Sequence, residues 1–391
     1  MKSKIILPII VFSQFCCTSL WFAGNGVMAD LISTFNLNES ALGHLTSAVQ
    51  FGFISGTFVF ALLTVSDRFS PSKVFFFCAL IAAVFNLGTI LENNSFFSLF
   101  ILKYFTGFFL AGIYPVGMKI AADYYDKGLG KSLGFLVGAL VVGTAFPHLL
   151  KGYSFGFSWQ YIMVFISILA LFGGLLMLLF VPNGPYRKAS QKLKINAWLK
   201  NFKDSKFRSA AFGYFGHIWE LYAFWAFVPV ILSLYKENNL ESTLNIPLWS
   251  FIIIGVGGLS CVIGGYLSSV FKTKKVAFTA LLLSCLCCLI SPFILITNSE
   301  FILLSFLVFW GMVVIADSPL FSTLVAQNAI PKYKGTALTI VNCIGFAITI
   351  ISIQLLNYLH LKYNSSFLYM ILGIGPILGL IALSRKPITH D

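Results

Sequence analysis

Long apolar runs separated by short polar breaks recur along the whole chain, near residues 5–29, 42–65, 74–91, 96–121, 132–151, 159–181, 209–235, 247–270, 276–297, 301–328, 336–359 and 366–384. About 20 apolar residues cross a bilayer as a helix that satisfies its own backbone polar groups. The pattern therefore predicts an all-α membrane protein of twelve transmembrane helices, counted here in chain order as spans one to twelve. One polar gap is much longer than the rest. It carries Ile195, Trp198, Leu199 and Phe202 at helical spacing among lysines, the pattern of an amphipathic helix on the membrane face or of a solvated linker. It divides the chain into residues 1–182, 183–208 and 209–391, two bundles of six spans around a basic connection.

Composition rules out a soluble reading. Hydrophobic residues make up 58% of the chain and charged ones 10%, where soluble domains carry roughly a quarter charged. The net charge of +13 would suggest nucleic acid in a soluble protein, but it is sorted by loop instead. Of 26 Lys and Arg, 22 fall in loops on the side of the termini, Lys151, Lys236 and Lys362 fall on the other, and Lys103 lies inside a span. The positive-inside rule then places both termini in the cytoplasm of a cell-membrane protein. All eight cysteines lie in apolar runs and read as small hydrophobic residues rather than disulfides or zinc ligands. The run after Lys4 is too long for a signal peptide and reads as a retained first helix.

The two halves carry a faint repeat. Gly107 and Pro115 of span four are eight residues apart, as are Gly311 and Pro319 of span ten. Beyond them, Gly130, Lys131, Ser132 and Leu133 align with Gly335, Thr336, Ala337 and Leu338 after one inserted residue. Six spans per half keep the repeats parallel, about an axis along the membrane normal.

Parallel six-span halves with a basic central loop resemble the major facilitator superfamily. Between spans two and three that family has Gly-x-x-x-Asp-Arg followed by basic residues. Asp67, Arg68 and Lys73 match, while Leu63 stands in place of the glycine. In the second half Gly265 is kept, but Ser269 and Val270 replace the acid and the arginine. Lys103 precedes Gly107 and Gly112 where proton-coupled members carry an arginine, and Gly134, Gly138, Gly143 and Pro147 stand for the antiporter motif of span five. The resemblance implies a secondary carrier in which spans one, four, seven and ten line a central cavity. Asp67 and Arg68 are the expected gate, through a contact between the halves made in one conformation only.

Ionisable groups inside the bilayer cost about 2.5–3.5 kcal/mol each on insertion scales, so each calls for a functional hypothesis. Four stand out, Asp30, Lys103, Glu220 and Asp317, one on each of the four implied cavity helices. Glu220 lies mid-span with His217 one turn before it. Loss of water disfavours a charged carboxylate, so Glu220 can exchange a proton as the cavity opens to each side in turn, with His217 as relay. Asp317 adjoins Ser318 and Pro319, where a proline frees backbone carbonyls, and its repeat counterpart is Ile113. Asp30 closes span one, as a proton site or an ordinary helix-end charge. Lys103 pairs with Asp30, meets a substrate carboxylate, or snorkels to the interface. Proton coupling is assigned to Glu220, Asp317, Asp30 and His217. Substrate contact is assigned to Trp21, Asn25, Lys103, Tyr114, Glu220, Trp225, Asp317 and Asn342. Polar stripes on span one (Gln14, Thr18, Trp21, Asn25) and span eleven (Asn342, Gly345, Thr349, Ser352) line the same gap or join neighbouring helices.

All four arginines, Arg68, Arg187, Arg208 and Arg385, fall outside the spans, which argues against small inorganic anions as cargo. Three intramembrane acids against one lysine suit a proton-driven carrier of a small organic solute, cationic and zwitterionic ones included. The proton gradient replaces any cofactor, and a monomer in the lipid bilayer, without nucleic acid, is expected. Asp123 and Asp126 are the one acidic pair available to a rival reading as a metal-dependent intramembrane transferase; a non-transporting receptor is the other rival.

Overall fold

The computed structural model describes residues 2–125, 129–153, 157–187, 198–363 and 365–385. Among the described residues there is no strand. Eleven helices are long and apolar enough to cross a bilayer, and the shorter apolar helix Ile5–Thr18 belongs to a twelfth span. Span one comprises Lys2–Thr18, Ala23–Gly26 and Met28–Thr34; spans two and three are Ala41–Leu62 and Pro71–Gly88. Span four is Phe96–Leu110 with Tyr114–Tyr124, and spans five and six are Leu129–Gly152 and Trp159–Phe180. Spans seven, eight and nine are Ser205–Asn238, Ile246–Val270 and Thr273–Leu295. Span ten is Glu300–Ala316 with Ser318–Asn328, span eleven is Lys334–Lys362, and span twelve is a 3₁₀ stretch, Ser366–Gly373, with Ile374–Ser384. The chain is an all-α membrane protein of two parallel six-helix halves.

Large apolar side chains such as Phe97, Leu179, Phe293 and Leu378 are exposed around the bundle, as they must be where lipid is the solvent. Spans four and ten break at equivalent places. Each restarts with proline at its first or second helical position, after Ile113 and after Asp317. Proline has no N–H and its ring clashes with the preceding turn, so the helix is interrupted just ahead of it. Span one breaks without a proline. There Thr18 Oγ1 donates to the Gln14 carbonyl at 2.8 Å and Ser19 Oγ to the Cys16 carbonyl at 2.6 Å, back-bonding that loosens a helix.

Glycines set the closest packing. A Cβ on Gly107 would strike the Val49 carbonyl of span two, and one on Gly311 would strike the Ile253 carbonyl of span eight. The halves meet along spans five and eight, where Gly138 faces the Gly258 carbonyl, and along spans two and eleven, where Gly43 faces Asn357. Residues 188–197, Ile195 among them, lie outside the described residues, as do the side chains of Trp198 and Leu199. The helix Trp198–Lys203 is tied to the bundle: Asn201 is buried and its Oδ1 accepts the Ile330 N–H at 2.8 Å.

Candidate functional site

A cavity of about 700 Å³ lies between the halves. Its walls come from spans two, four, five, seven, ten and eleven. Span seven contributes Tyr214, Ile218 and Tyr222, which recur every four residues and so share one helix face. Tyr114 and Met118 face them from span four, and Ser318 and Ser322 from span ten. Asn342 and Phe346 complete the wall from span eleven. The charged residues on its lining are Asp67, Lys119 and Lys334, at the basic end of the bundle where Lys334 and Gln327 are exposed. The deep walls are phenol, hydroxyl, amide and hydrocarbon.

At the opposite end an aromatic roof closes the cavity. Trp21 lies 4.7 Å from Phe53, 5.8 Å from Phe346 and stacked 5.8 Å from Tyr222, measured between ring centroids. Phe22 and Trp225 back this group, Trp225 meeting Tyr222 edge-on at 5.4 Å. Beyond the roof the halves are sealed: Gln354 Nε2 donates to Ser47 Oγ at 2.9 Å, Asn357 Nδ2 to the Ser40 carbonyl at 3.4 Å, and Asn245 Nδ2 to the Gly152 carbonyl at 3.3 Å. The exposed lining residues Gln327 and Lys334 place the mouth of the cavity at the basic end.

The intramembrane charges lie behind this wall rather than on it. Glu220 is buried among spans seven, nine and ten, where its Oε1 accepts Trp310 Nε1–H at 2.6 Å, the Ser284 hydroxyl, and Cys288 Sγ–H at 3.2 Å. Two residues along a helix turn about 200°, so Glu220 faces away from the wall that Ile218 forms. Asp317, at the break of span ten, lies 2.7 Å from His217 Nδ1, both fully buried. Asp317 Oδ2 and His217 Nε2 have no other hydrogen-bond partner among the described residues. The expected relay between His217 and Glu220 is thus replaced by a pair between His217 and Asp317. The cavity wall runs next to it: Ile315, Ser318 and Ile218 are lining residues, and the Tyr214 ring is 6.3 Å from that of His217.

Two expectations for the first half need correction. Asp30 meets Lys151 at 2.8 Å at the end of the bundle opposite the mouth, so it is a helix-end charge paired between spans one and five. Lys103 neither pairs with it nor snorkels: it is buried, its Cε lies against Gly24, and its Nζ donates to Asn86 Oδ1 at 3.4 Å. Of the residues assigned to substrate contact, Tyr114 and Asn342 line the cavity and Trp21 and Trp225 belong to its roof. Asn25, Lys103, Glu220 and Asp317 do not reach it, because each is held by neighbouring helices; Asn25, for one, donates to Thr46 Oγ1 at 2.8 Å. The stripe on span one is interhelical packing, with Gln14 against Gly117 and Thr18 against Gly143. On span eleven Asn342 faces the cavity, whereas Thr349 and Ser352 donate to their own backbone.

At the mouth Asp67 pairs with Lys119 of span four at 3.1 Å, within its own half, and Lys119 also reaches Asp123 at 3.7 Å. Arg187 donates to the carbonyls of Asp67 and Phe69 at 3.0 and 2.8 Å. Arg68 is exposed. Among the described residues Asp67 makes no ion pair with the other half. Thr64, on the lining just before this turn, has φ of 50°, a left-handed backbone that a β-branched residue adopts only under strain. Lys119, Tyr214, Tyr222 and Phe346 were not singled out from the sequence. Tyr214, Ile218 and Tyr222 were legible as one helix face, but nothing in the order of residues said which face meets the gap.

A bundle of twelve spans in two parallel halves around a central cavity has the architecture of a membrane carrier. The sequence model of the Major Facilitator Superfamily matches residues 10–353, and the chain belongs to that superfamily. It is a multi-pass membrane protein and a secondary transporter of small molecules, not an enzyme. No curated protein sequence matches it. Among solved structures it is similar to a bacterial homologue of the human lysosomal transporter Spinster, in an inward-facing and unoccupied conformation. That similarity has a TM-score of 0.68 and 14% identity over 98% of this chain and 94% of that one. The human organic anion transporter MFSD10 is similar with a TM-score of 0.74 and 13% identity, over 98% of this chain and 99% of that one. The proton:xylose symporter XylE, bound to 6-bromo-6-deoxy-D-glucose, gives 0.74 and 15% over 96% and 94%. At such identities the likeness is one of fold.

Proposed function

We propose that the chain is a proton-coupled carrier of an uncharged or zwitterionic organic solute with an apolar or aromatic body, working by alternating access. The observation that carries this reading is the juxtaposition of the cavity's deep, uncharged wall, with Tyr114, Tyr214 and Tyr222, and the His217–Asp317 pair directly behind it. A fixed net charge on the solute would find no counter-charge deep in the cavity among the described residues, which narrows the solute expected from the sequence. The cavity volume of about 700 Å³ falls within the roughly 300–1,000 Å³ of small-molecule sites.

With the basic end in the cytoplasm of a cell membrane, as the lysine distribution requires, this conformation is the inward-open one. Protonation of Asp317 would release His217 and loosen the joint between the break of span ten and span seven, both of which carry lining residues. One charge moving through 100 mV supplies about 2.3 kcal/mol, enough for roughly fiftyfold accumulation per proton. The test is solute flux in proteoliposomes with and without an imposed pH gradient. We expect wild-type transport to follow the gradient and Asp317→Asn to exchange solute without following it. Flux indifferent to the gradient in the wild type, and unchanged in Asp317→Asn and Glu220→Gln, would remove the proton from the mechanism.

A further inference from the structure

A second hollow, of about 900 Å³, lies outside the transport path at the basic end of the last six spans. Four cations line it. Lys206 and Arg208 come from the first residues of span seven, Lys274 from the start of span nine, and Arg385 follows directly on span twelve. Among the described residues no aspartate or glutamate lines it. Among the described residues none of the four cations is in an ion pair. Arg208 donates to the Phe202 and Lys203 carbonyls at 2.9 Å each, neither of which is an anion. The acid next to them in sequence, Asp204, is engaged as a helix cap, accepting the Phe207 N–H at 2.8 Å.

Ser205, Ser209, Gln327 and Asn328 add polar groups to the lining, and one wall is apolar and turned outward: Phe212, Leu378 and Ile381 line it and are 48%, 61% and 47% exposed. Four like charges around one hollow repel one another unless an anion lies among them. Free phosphate would answer the charge and leave the apolar wall without a partner. An anionic phospholipid answers both, because basic hollows between helices at a membrane surface suit its headgroup while its chains stay in the hydrocarbon layer.

We propose that this hollow binds the headgroup of an anionic phospholipid, with an acyl chain along Phe212, Leu378 and Ile381. Gln327 lines both this hollow and the central cavity, so a bound headgroup abuts the wall of the transport path.

The experiment uses the purified full chain in detergent, with native mass spectrometry and thermal melts in the presence of phosphatidylglycerol, phosphatidylcholine of the same chains, or inorganic phosphate. Phosphatidylglycerol is expected to bind at least about tenfold more tightly than phosphatidylcholine, and phosphate at the same concentration to leave the melt unmoved. The triple variant Lys206→Gln, Lys274→Gln, Arg385→Gln should lose that preference. Lys73→Gln, Lys272→Gln, Lys332→Gln, which removes the same charge from the same end, should keep it. If the first triple variant fails to fold, the exposed single changes Lys206→Gln and Arg385→Gln carry the test, each expected to weaken binding about fivefold. Equal binding of the two lipids, an equal shift from phosphate alone, or equal loss in the control variant would each overturn the proposal.

Discussion

Glu220 is the residue at which burial and hydrogen bonding are most concentrated. One carboxylate oxygen takes an indole N–H, a hydroxyl and a thiol from two other helices. Glu220→Gln keeps a carbonyl oxygen for all three and should melt within a few degrees of wild type. Glu220→Ala leaves the Trp310 N–H and Ser284 O–H unpaired in the interior, at about 1–3 kcal/mol each. Thermal unfolding in detergent checks this, and a similar loss in both variants would mean the charge, not the bonds, holds the helices. The His217–Asp317 pair makes the opposite case. Removing one partner leaves the other a buried polar group without its partner, at about 1–3 kcal/mol. We expect His217→Ala and Asp317→Ala each to be destabilising and the double variant to lose less than their sum by roughly 1–3 kcal/mol. A strictly additive cycle would show that the 2.7 Å contact contributes no coupling.

Among the elements, spans four and ten repeat one design. Each carries a glycine against a neighbouring carbonyl and, eight residues on, a proline that restarts the helix. The sequence spacing had already aligned Gly107 with Gly311 and Pro115 with Pro319. The structure adds the reason, since both glycines let a backbone from span two or span eight approach where a methyl group would not fit. Gly107→Ala and Gly311→Ala should therefore destabilise by similar amounts, about 1–3 kcal/mol, because a carbonyl cannot swing aside as a side chain can. Gly335→Ala, where a Cβ meets nothing within 4 Å, is the control and should melt near wild type. A neutral Gly311→Ala in the same melts would undo the correspondence of the two halves.

Across the whole molecule, the seal between spans two and eleven and the mouth at the basic end cannot both be open while the halves stay rigid. Replacing Ser47 and Gln354, whose side chains touch at 2.9 Å, by cysteine should let a short, reducible bis-methanethiosulfonate reagent bridge them. Transport in proteoliposomes should then stop and return on reduction. Seven of the eight native cysteines are buried, which keeps background crosslinking low. Undiminished flux with the seal locked would contradict alternating access in this chain.

Twelve spans, their edges to within several residues, and the loops that hold the basic residues followed from the order of residues, because helix formation in lipid is local. Each run of about 20 apolar residues must satisfy its own backbone whatever its neighbours do. The same local chemistry marked Pro115 and Pro319 as breaks and Asp30, Lys103, Glu220 and Asp317 as costly charges. Rotation of each helix about its axis is not local. It depends on which side chains of other spans fill the adjacent grooves, so the tertiary structure alone turned Tyr214 and Tyr222 toward the cavity and Glu220 toward Trp310. It likewise gave Asp30 to Lys151 and left Lys103 with Asn86, partners separated by 121 and 17 residues that the bundle, not the chain, brings together.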